Sequence, residues 1–204
     1  MKRGLRIVLV VALAAFVGGG VSSEDASAGL VSCNDSQERP FARWGDNAYY
    51  KLAPNGSFEE GSNGWTLSGG ARVVRDGNTL RSGSWSLRLP AGSSATAPAA
   101  CVKLADLGSR FFLRNTGSPS GSLRVDVTYR SLLGLFTVTS NLGTVTTGGE
   151  WQPSPKYGHV ISNLLGTLAL NSDLAASLRF KFTPRGWGAE YQIDDLFVDP
   201  LLQV

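Results

Sequence analysis

Short segments in which apolar and polar residues alternate recur along the chain from about residue 52 onward. In residues 122–130, SLRVDVTYR, every second side chain is apolar, from Leu123 to Tyr129. Residues 84–90, SWSLRLP, and residues 177–184, SLRFKFTP, show the same period of two. Successive side chains of a strand point to opposite faces, so the pattern predicts β-strands with one buried and one solvated face.

Turn-forming residues separate these segments. Gly, Ser, Asn and Pro divide the chain into roughly nine or ten predicted strands. A leucine-rich stretch at residues 162–178 is the one candidate for a long helix, and Gly166 weakens it. The sequence therefore predicts an all-β fold, a jelly-roll β-sandwich of two antiparallel sheets.

The N-terminus predicts export. Lys2, Arg3 and Arg6 precede an apolar run at residues 7–17, and small residues follow at 26–28. This run is too short for a membrane span, so we predict a cleaved signal peptide at residues 1–28 and a secreted chain, extracellular or in the cell wall. The remainder divides into an irregular N-terminal arm, residues 29–51, and one β-sandwich domain, residues 52–204.

Cys33 and Cys101 are the two cysteines of the chain. In an exported protein they predict one disulfide. A second interpretation is that LVSC, residues 30–33, is a lipoprotein cleavage box and that Cys33 carries a lipid anchor. Polar residues 22–25 separate this box from the apolar run, which favours the disulfide.

The charge distribution argues against a nucleic-acid partner. The net charge is +3, and loss of residues 1–28 would leave about +2. The basic residues alternate with apolar ones along the predicted strands, whereas a nucleic-acid surface needs a clustered basic stripe. No later segment is apolar enough to predict a membrane span.

Two motifs lie at opposite ends of the predicted domain: LAPNGSFEEGSNGW at residues 52–65 and YQIDDLFVDP at residues 191–200. An N-G-x-F-E sequence followed by G-W, with a closing I-D-D strand, resembles the jelly-roll carbohydrate-binding modules of the galactose-binding-like superfamily, especially families 4, 9 and 22. The whole chain is also similar to small secreted bacterial proteins of that fold. The resemblance implies a module that binds polysaccharide, although a fold alone does not determine a function.

The same resemblance implies a structural calcium ion. In that superfamily a glutamate of the first strand and an aspartate of the last strand commonly help to hold calcium, which here implies Glu59 with Asp194 or Asp195. Calcium prefers several oxygen ligands. Neighbouring residues of a strand face opposite ways, so one aspartate should face the ion unless a bulge turns both. The alternative is that both aspartates pair with arginines or accept backbone N–H bonds.

Aromatic residues are the candidates for contact with a sugar ring. Trp187 lies in the glycine-flanked segment PRGWGAEY, residues 184–191, and has no obvious strand partner. Tyr157, Trp44 and Tyr50 are the other predicted ligand-binding residues. The alternative for each is that it caps one end of the sandwich. Three further tryptophans are predicted to be structural: Trp65, Trp151 and Trp85.

Catalysis has little support in the sequence. His159 is the sole histidine and there is no G-x-S-x-G elbow, so neither a catalytic triad nor a zinc site is expected. A glycoside hydrolase needs only two carboxylates, which several acidic residues could supply: Glu59, Glu60, Glu150, Glu190, Asp194 and Asp195. We predict a non-catalytic polysaccharide-binding module, with a protein-interaction or surface-structural sandwich as the alternative and a small glycan hydrolase as the second.

Overall fold

The computed structural model describes residues 36–103, 108–130, 137–158 and 175–199. The predicted signal peptide, Cys33 and His159 lie outside these ranges, as does most of the helix-like stretch at residues 162–178. Within them the chain forms fourteen strands and one 3-10 turn, Ala42–Trp44. No helix in these ranges is long and apolar enough to cross a membrane.

The strands, in chain order, are β1 (Gln37–Glu38), β2 (Tyr50–Leu52), β3 (Thr66–Ser68), β4 (Arg72–Val74), β5 (Ser86–Leu89), β6 (Ser94–Thr96), β7 (Ala100–Lys103), β8 (Gly108–Asn115), β9 (Ser122–Arg130), β10 (Thr137–Val145), β11 (Gln152–Pro153), β12 (Tyr157–Gly158), β13 (Ala175–Arg185) and β14 (Tyr191–Asp199).

The strands form two antiparallel sheets. Sheet A has the order β1-β2-β14-β5-β4, with β8 on the other edge of β14 and the short β11 and β12 on β8. Sheet B has the order β10-β9-β13-β6-β3, with β7 beside the first part of β13. The predicted all-β jelly-roll sandwich of two antiparallel sheets is confirmed.

The main core lies between the two sheets and follows the alternation in the sequence. Leu123, Val125 and Val127 of β9 face Leu87 and Leu89 of β5 across it, all fully buried. Burying such side chains is the main favourable contribution to folding, about 25 cal/mol per Å² of apolar surface. The period-two segments therefore supply the interior of the sandwich.

Of the three tryptophans predicted to be structural, Trp65 and Trp151 are buried, as expected. The prediction for Trp85 was wrong, because its side chain is 36% exposed. β5 begins at Ser86, so Trp85 precedes the strand and is not held in its pleat beside Leu87.

The described part of the N-terminal arm is more regular than predicted, because β1 and β2 extend sheet A. Its aromatic side chains cover part of the outer face of that sheet. There Phe41 and Tyr50 pack against Phe112 of β8 and Phe197 of β14, with ring centroids 5.0 to 6.4 Å apart. The arm thus adds a second, smaller core. The predicted domain boundaries stay a prediction.

A β-bulge interrupts β14 between Asp194 and Phe197. Ile193 and Leu196 both pack in the main core, so the strand carries one extra residue between them. Asp195 lies within the bulge and has a left-handed backbone conformation, with φ 48°, which accommodates the extra residue. The bulge determines how the two adjacent aspartates are presented.

Candidate functional site

The aspartate pair of β14 is buried, at 2% exposure for Asp194 and 3% for Asp195. Asn78 lies against both carboxylates. Its backbone N–H and its Nδ2 donate to Oδ2 of Asp194 at 2.9 and 3.0 Å, and Nδ2 also donates to Oδ2 of Asp195 at 2.8 Å. Both side chains therefore point to the same donor. Adjacent residues of a strand normally face opposite ways, and the bulge in β14 is the expected condition under which both aspartates turn to one side.

A guanidinium completes this cluster. Arg81 donates from Nε to Oδ2 of Asp195 at 3.0 Å and also forms an ion pair with Glu38 of β1 at 2.9 Å. The backbone N–H of Asp195 donates to Oδ1 of Asp194 at 2.8 Å. Burial and then the neighbouring charge of Asp195 raise the pKa of Asp194 to about 7, and burial also raises the pKa of Asp195.

Glu59, the third predicted calcium ligand, is exposed and bound elsewhere. Its Oε1 accepts the backbone N–H groups of Ser84 and Trp85 at 2.7 and 3.2 Å. In the part of the chain that the structure describes, no group of three or more His, Cys, Asp or Glu side chains could hold a metal ion. In this structure the two aspartates are bonded to an arginine and to N–H donors, as in the alternative, while Glu59 is bonded to other groups. Calcium binding stays a prediction.

Asn78 and Arg81 were not among the residues singled out from the sequence. Asn78 is 116 residues from Asp194 along the chain. It lies in a polar segment, DGNTLRSGS at residues 76–84, whose composition predicts a turn and nothing more. Only the packing of this segment against β14 brings the amide to the carboxylates.

Trp187 lies in the turn between β13 and β14 and is 95% exposed. The flanking glycines have left-handed backbones, Gly186 with φ 101° and Gly188 with φ 66°. The N–H of Ser118 donates to the carbonyl of Gly188 at 2.8 Å. A Cβ at Gly117 would collide with that same carbonyl, so the β8–β9 loop packs tightly under the turn. The ring is thus presented on a backbone that is held in place.

Polar side chains surround the base of this turn. The exposed hydroxyls of Ser118 and Ser120 lie 2.9 Å apart. Glu190 accepts hydrogen bonds from Thr116 and Arg88, both at 2.8 Å. Burial alone would raise the pKa of Glu190, but these two donors lower it on balance. The arrangement offers donors and acceptors of the kind that bind sugar hydroxyls.

The other three predicted ligand-binding aromatic residues are packed. Tyr50 is buried, and its hydroxyl donates to Asp46 at 2.6 Å. Tyr157 is buried and stacks on Phe111 at 5.9 Å with an angle of 4° between the rings. These two rings leave no face for a ligand, because each belongs to a core cluster.

Trp44 is half-buried. Its ring packs against Phe112 at 5.6 Å, and the guanidinium of Arg43 lies 4.6 Å from the ring centroid. Among the described residues, the large hydrophobic side chains that are exposed are Trp85 and Trp187. Of the four predicted ligand-binding aromatics, Trp187 alone is freely presented in this structure, and the other three follow the capping and packing alternative.

Cys101 lies on β7, and its predicted partner Cys33 lies outside the described residues. The disulfide therefore stays a prediction.

No protein-family model matches the chain, and no curated protein sequence matches it significantly. Among solved structures, it is similar to the tandem CBM22-1–CBM22-2 domain of Paenibacillus barcinonensis Xyn10C, with a TM-score of 0.51 and 16% identity over 74% of this chain and 46% of that one. The CBM22-1 xylan-binding domain of the same protein matches with a TM-score of 0.48 and 17% identity, over 70% of this chain and 90% of that one. A family 11 carbohydrate-binding module from Clostridium thermocellum, in complex with a mixed-linked tetrasaccharide, matches with a TM-score of 0.45 and 12% identity. The match covers 76% of this chain and 98% of that one. The resemblance to jelly-roll carbohydrate-binding modules is confirmed at the level of the fold.

Proposed function

We propose that this chain is a secreted, non-catalytic binding module for extracellular or cell-wall polysaccharide, and that a sugar ring stacks on Trp187. The observation that carries the proposal is the almost complete exposure of this large ring on a held turn. An exposed tryptophan has no role in packing, whereas its flat apolar face with a polar N–H suits a ligand that is itself partly apolar and partly polar.

The geometry of the turn supports binding without much loss of freedom. The carbonyl of Gly188 is bonded to the N–H of Ser118, and the N–H of Ala189 donates to the carbonyl of Gly186 at 3.3 Å. A binding surface that is ordered in advance loses little conformational entropy when the ligand arrives. The hydroxyls of Ser118 and Ser120 provide nearby hydrogen-bonding groups of a fixed spacing.

Two observations support a binding role over a hydrolytic one. Asp194 and Asp195 are buried and hydrogen-bonded to Asn78 and Arg81, so they are withheld from a substrate. The similarity in fold to a tandem domain named as two family 22 carbohydrate-binding modules points the same way.

The test is a pull-down on a panel of insoluble polysaccharides, extended by a glycan array. We expect wild type to bind at least one glycan and Trp187→Ala to weaken that binding about tenfold or more, as for a central aromatic anchor. Trp85→Ala is the matched control: it removes the other exposed tryptophan and should leave binding unchanged.

Other results would redirect the proposal. Glycan binding that survives Trp187→Ala would move the site to another surface. Absence of binding to every glycan, with a specific protein recovered by co-precipitation, would favour the protein-interaction alternative. Release of soluble products, abolished by Glu190→Gln, would establish the hydrolase alternative.

A further inference from the structure

The buried polar cluster around β14 consists of Asn78, Arg81, Asp194 and Asp195. We infer that the Asn78 amide and the Arg81 guanidinium hold β14 in place, which is the role that the resemblance to carbohydrate-binding modules gives to a calcium ion. We call this arrangement the amide clamp. The single substitution Asn78→Asp would turn the amide clamp into a divalent-cation site. The inference concerns the stability of the fold and does not depend on the proposed function.

The donors already present use the carboxylate oxygens that an ion would need. Oδ2 of Asp194 receives two hydrogen bonds from Asn78, and Oδ1 receives the N–H of Asp195. Oδ2 of Asp195 receives Nδ2 of Asn78 and Nε of Arg81. A calcium ion would have to displace several of these donors, because it takes six to eight oxygen ligands itself.

The orientation of the Asn78 amide is determined by its surroundings. Its Oδ1 accepts the backbone N–H groups of Leu80 and Arg81 at 3.1 and 2.9 Å. The opposite orientation would direct the amide oxygen at two carboxylates and the NH₂ group at two N–H donors. Asn78 must therefore present a donor to the aspartates, which is the electrostatic role of a cation.

Arg81 supplies the positive charge of the clamp. It binds Asp195 through Nε and Glu38 through its two Nη atoms, and its guanidinium lies 4.9 Å from the ring centroid of Phe197. A buried carboxylate is tolerated only when it is paired and hydrogen-bonded. Arg81 and Asn78 provide both conditions for Asp195 without an ion, and Asp194 is hydrogen-bonded by Asn78 and by the N–H of Asp195.

The substitution Asn78→Asp changes one group in this arrangement. Oδ1 keeps its two N–H donors, while the NH₂ group between the aspartates becomes a third carboxylate oxygen. Three carboxylates then converge on one buried point, where the backbone N–H of residue 78 and Nε of Arg81 remain but the shared amide donor is lost, and this excess of negative charge favours a hard cation. Without a cation, the uncompensated charge is strongly destabilising.

The experiment measures Tm in EDTA and in calcium chloride, with magnesium chloride as a second ion. We expect the wild-type Tm to be equal in EDTA and calcium, and the dialysed protein to contain no calcium by elemental analysis. For Asn78→Asp we expect a Tm about 8 °C or more below wild type in EDTA, and a substantial recovery in calcium. Asn63→Asp is the matched control, since Asn63 also donates to a carboxylate, Glu60, but at an exposed site; its Tm should change little and should not depend on calcium.

Two outcomes would overturn the inference. If EDTA lowers the wild-type Tm, or stoichiometric calcium remains after dialysis, an ion holds this strand and the implied calcium site is real. If Asn78→Asp folds and is indifferent to calcium, the cluster is not a cation position. Should Asn78→Asp fail to fold in both conditions, the wild-type comparison still decides between the amide clamp and the ion.

Discussion

Individual residues explain the opening motif of the domain, residues 52–65. Asn55 has a left-handed backbone, φ 46°, and its side-chain amide donates to two carbonyls further along the motif. The indole N–H of Trp65 donates to the carbonyl of Asn55 at 3.0 Å. Gly56 lies directly against β14, where its carbonyl accepts the N–H of Leu196 at 3.1 Å. Each distinctive residue of the motif thus has a structural role.

The close approach at Gly56 leads to a prediction on stability. A Cβ there would lie 2.7 Å from the carbonyl oxygen of Leu196 and 3.0 Å from that of Ala53. These are backbone atoms that cannot rotate away, so we expect Gly56→Ala to lower the free energy of unfolding by about 2 to 3 kcal/mol, which is a fall in Tm of roughly 4 to 12 °C.

Gly148→Ala is the matched control for this steric effect. A Cβ at Gly148 would meet nothing within 4 Å, so its unfolding free energy should be unchanged or slightly higher. Equal effects of the two substitutions in thermal or denaturant unfolding would show that the contact with β14 does not matter.

At the scale of the element, the N-terminal arm is held to sheet A by more than its two short strands. Asp46 accepts hydrogen bonds from the Tyr50 hydroxyl at 2.6 Å and from Arg110 of β8 at 2.8 Å. The guanidinium of Arg110 also lies 4.4 Å from the ring centroid of Phe41. An arm expected to be irregular is therefore ordered by one carboxylate and an aromatic cluster, which the local sequence does not indicate.

The contacts of Asp46 predict that acid loosens the arm. Burial alone would raise the pKa of Asp46, but the bonds from Tyr50, Arg110 and the N–H of Ala48 lower it on balance. A carboxylate whose pKa is lowered by folding contributes its full stabilisation of the folded state above its unfolded-state pKa, which is 3.8 for Asp46. That contribution is lost as the pH falls through the pKa of the folded state. We expect faster proteolysis within residues 39–49 below about pH 4 than at pH 6.

Two variants test this assignment. Asp46→Asn should make the arm susceptible already at pH 6 and flatten the pH dependence. Glu150→Gln, which removes an exposed carboxylate, should leave the wild-type profile intact. A profile for Asp46→Asn that overlays that of wild type would assign the acid response to other groups.

For the whole molecule, the arrangement of the two sheets brings the ends of the domain together. β2, next to the opening motif, pairs with β14, the last described strand. β14 also pairs with β5 and β8, so it connects most of sheet A. A jelly-roll closes in this way through contacts that are distant in sequence, and for that reason its first and last strands are interdependent.

The predicted disulfide would add a further long-range link. Closing the loop between Cys33 and Cys101 should stabilise the fold by about 4 kcal/mol in the chain-entropy model. We expect the intact mass of the protein to rise by two hydrogen atoms on reduction and its Tm to fall. Reductant should have no effect on the Tm of Cys101→Ser. A diacylglyceryl mass on Cys33 would instead establish the lipid anchor.

The sequence by itself determined the class of fold and most of its interior. Segments such as residues 122–130 and 177–184 alternate strictly, and which face of a strand is apolar is a local property that survives in any register. The end motifs also indicated the jelly-roll, and the glycines around Trp187 indicated an exposed ring.

Tertiary structure alone decided which polar groups meet. Asp194 and Asp195 share one donor because a bulge in β14 turns both, and that donor comes from a turn 116 residues away. Tyr50 is buried because the arm packs on the outer face of sheet A. Tyr157 is buried because β12 pairs with β8 and its ring lies in the main core. Such contacts depend on strand register and on the path of loops, and these are set by the packing of the entire sandwich and not by the residues adjacent in sequence.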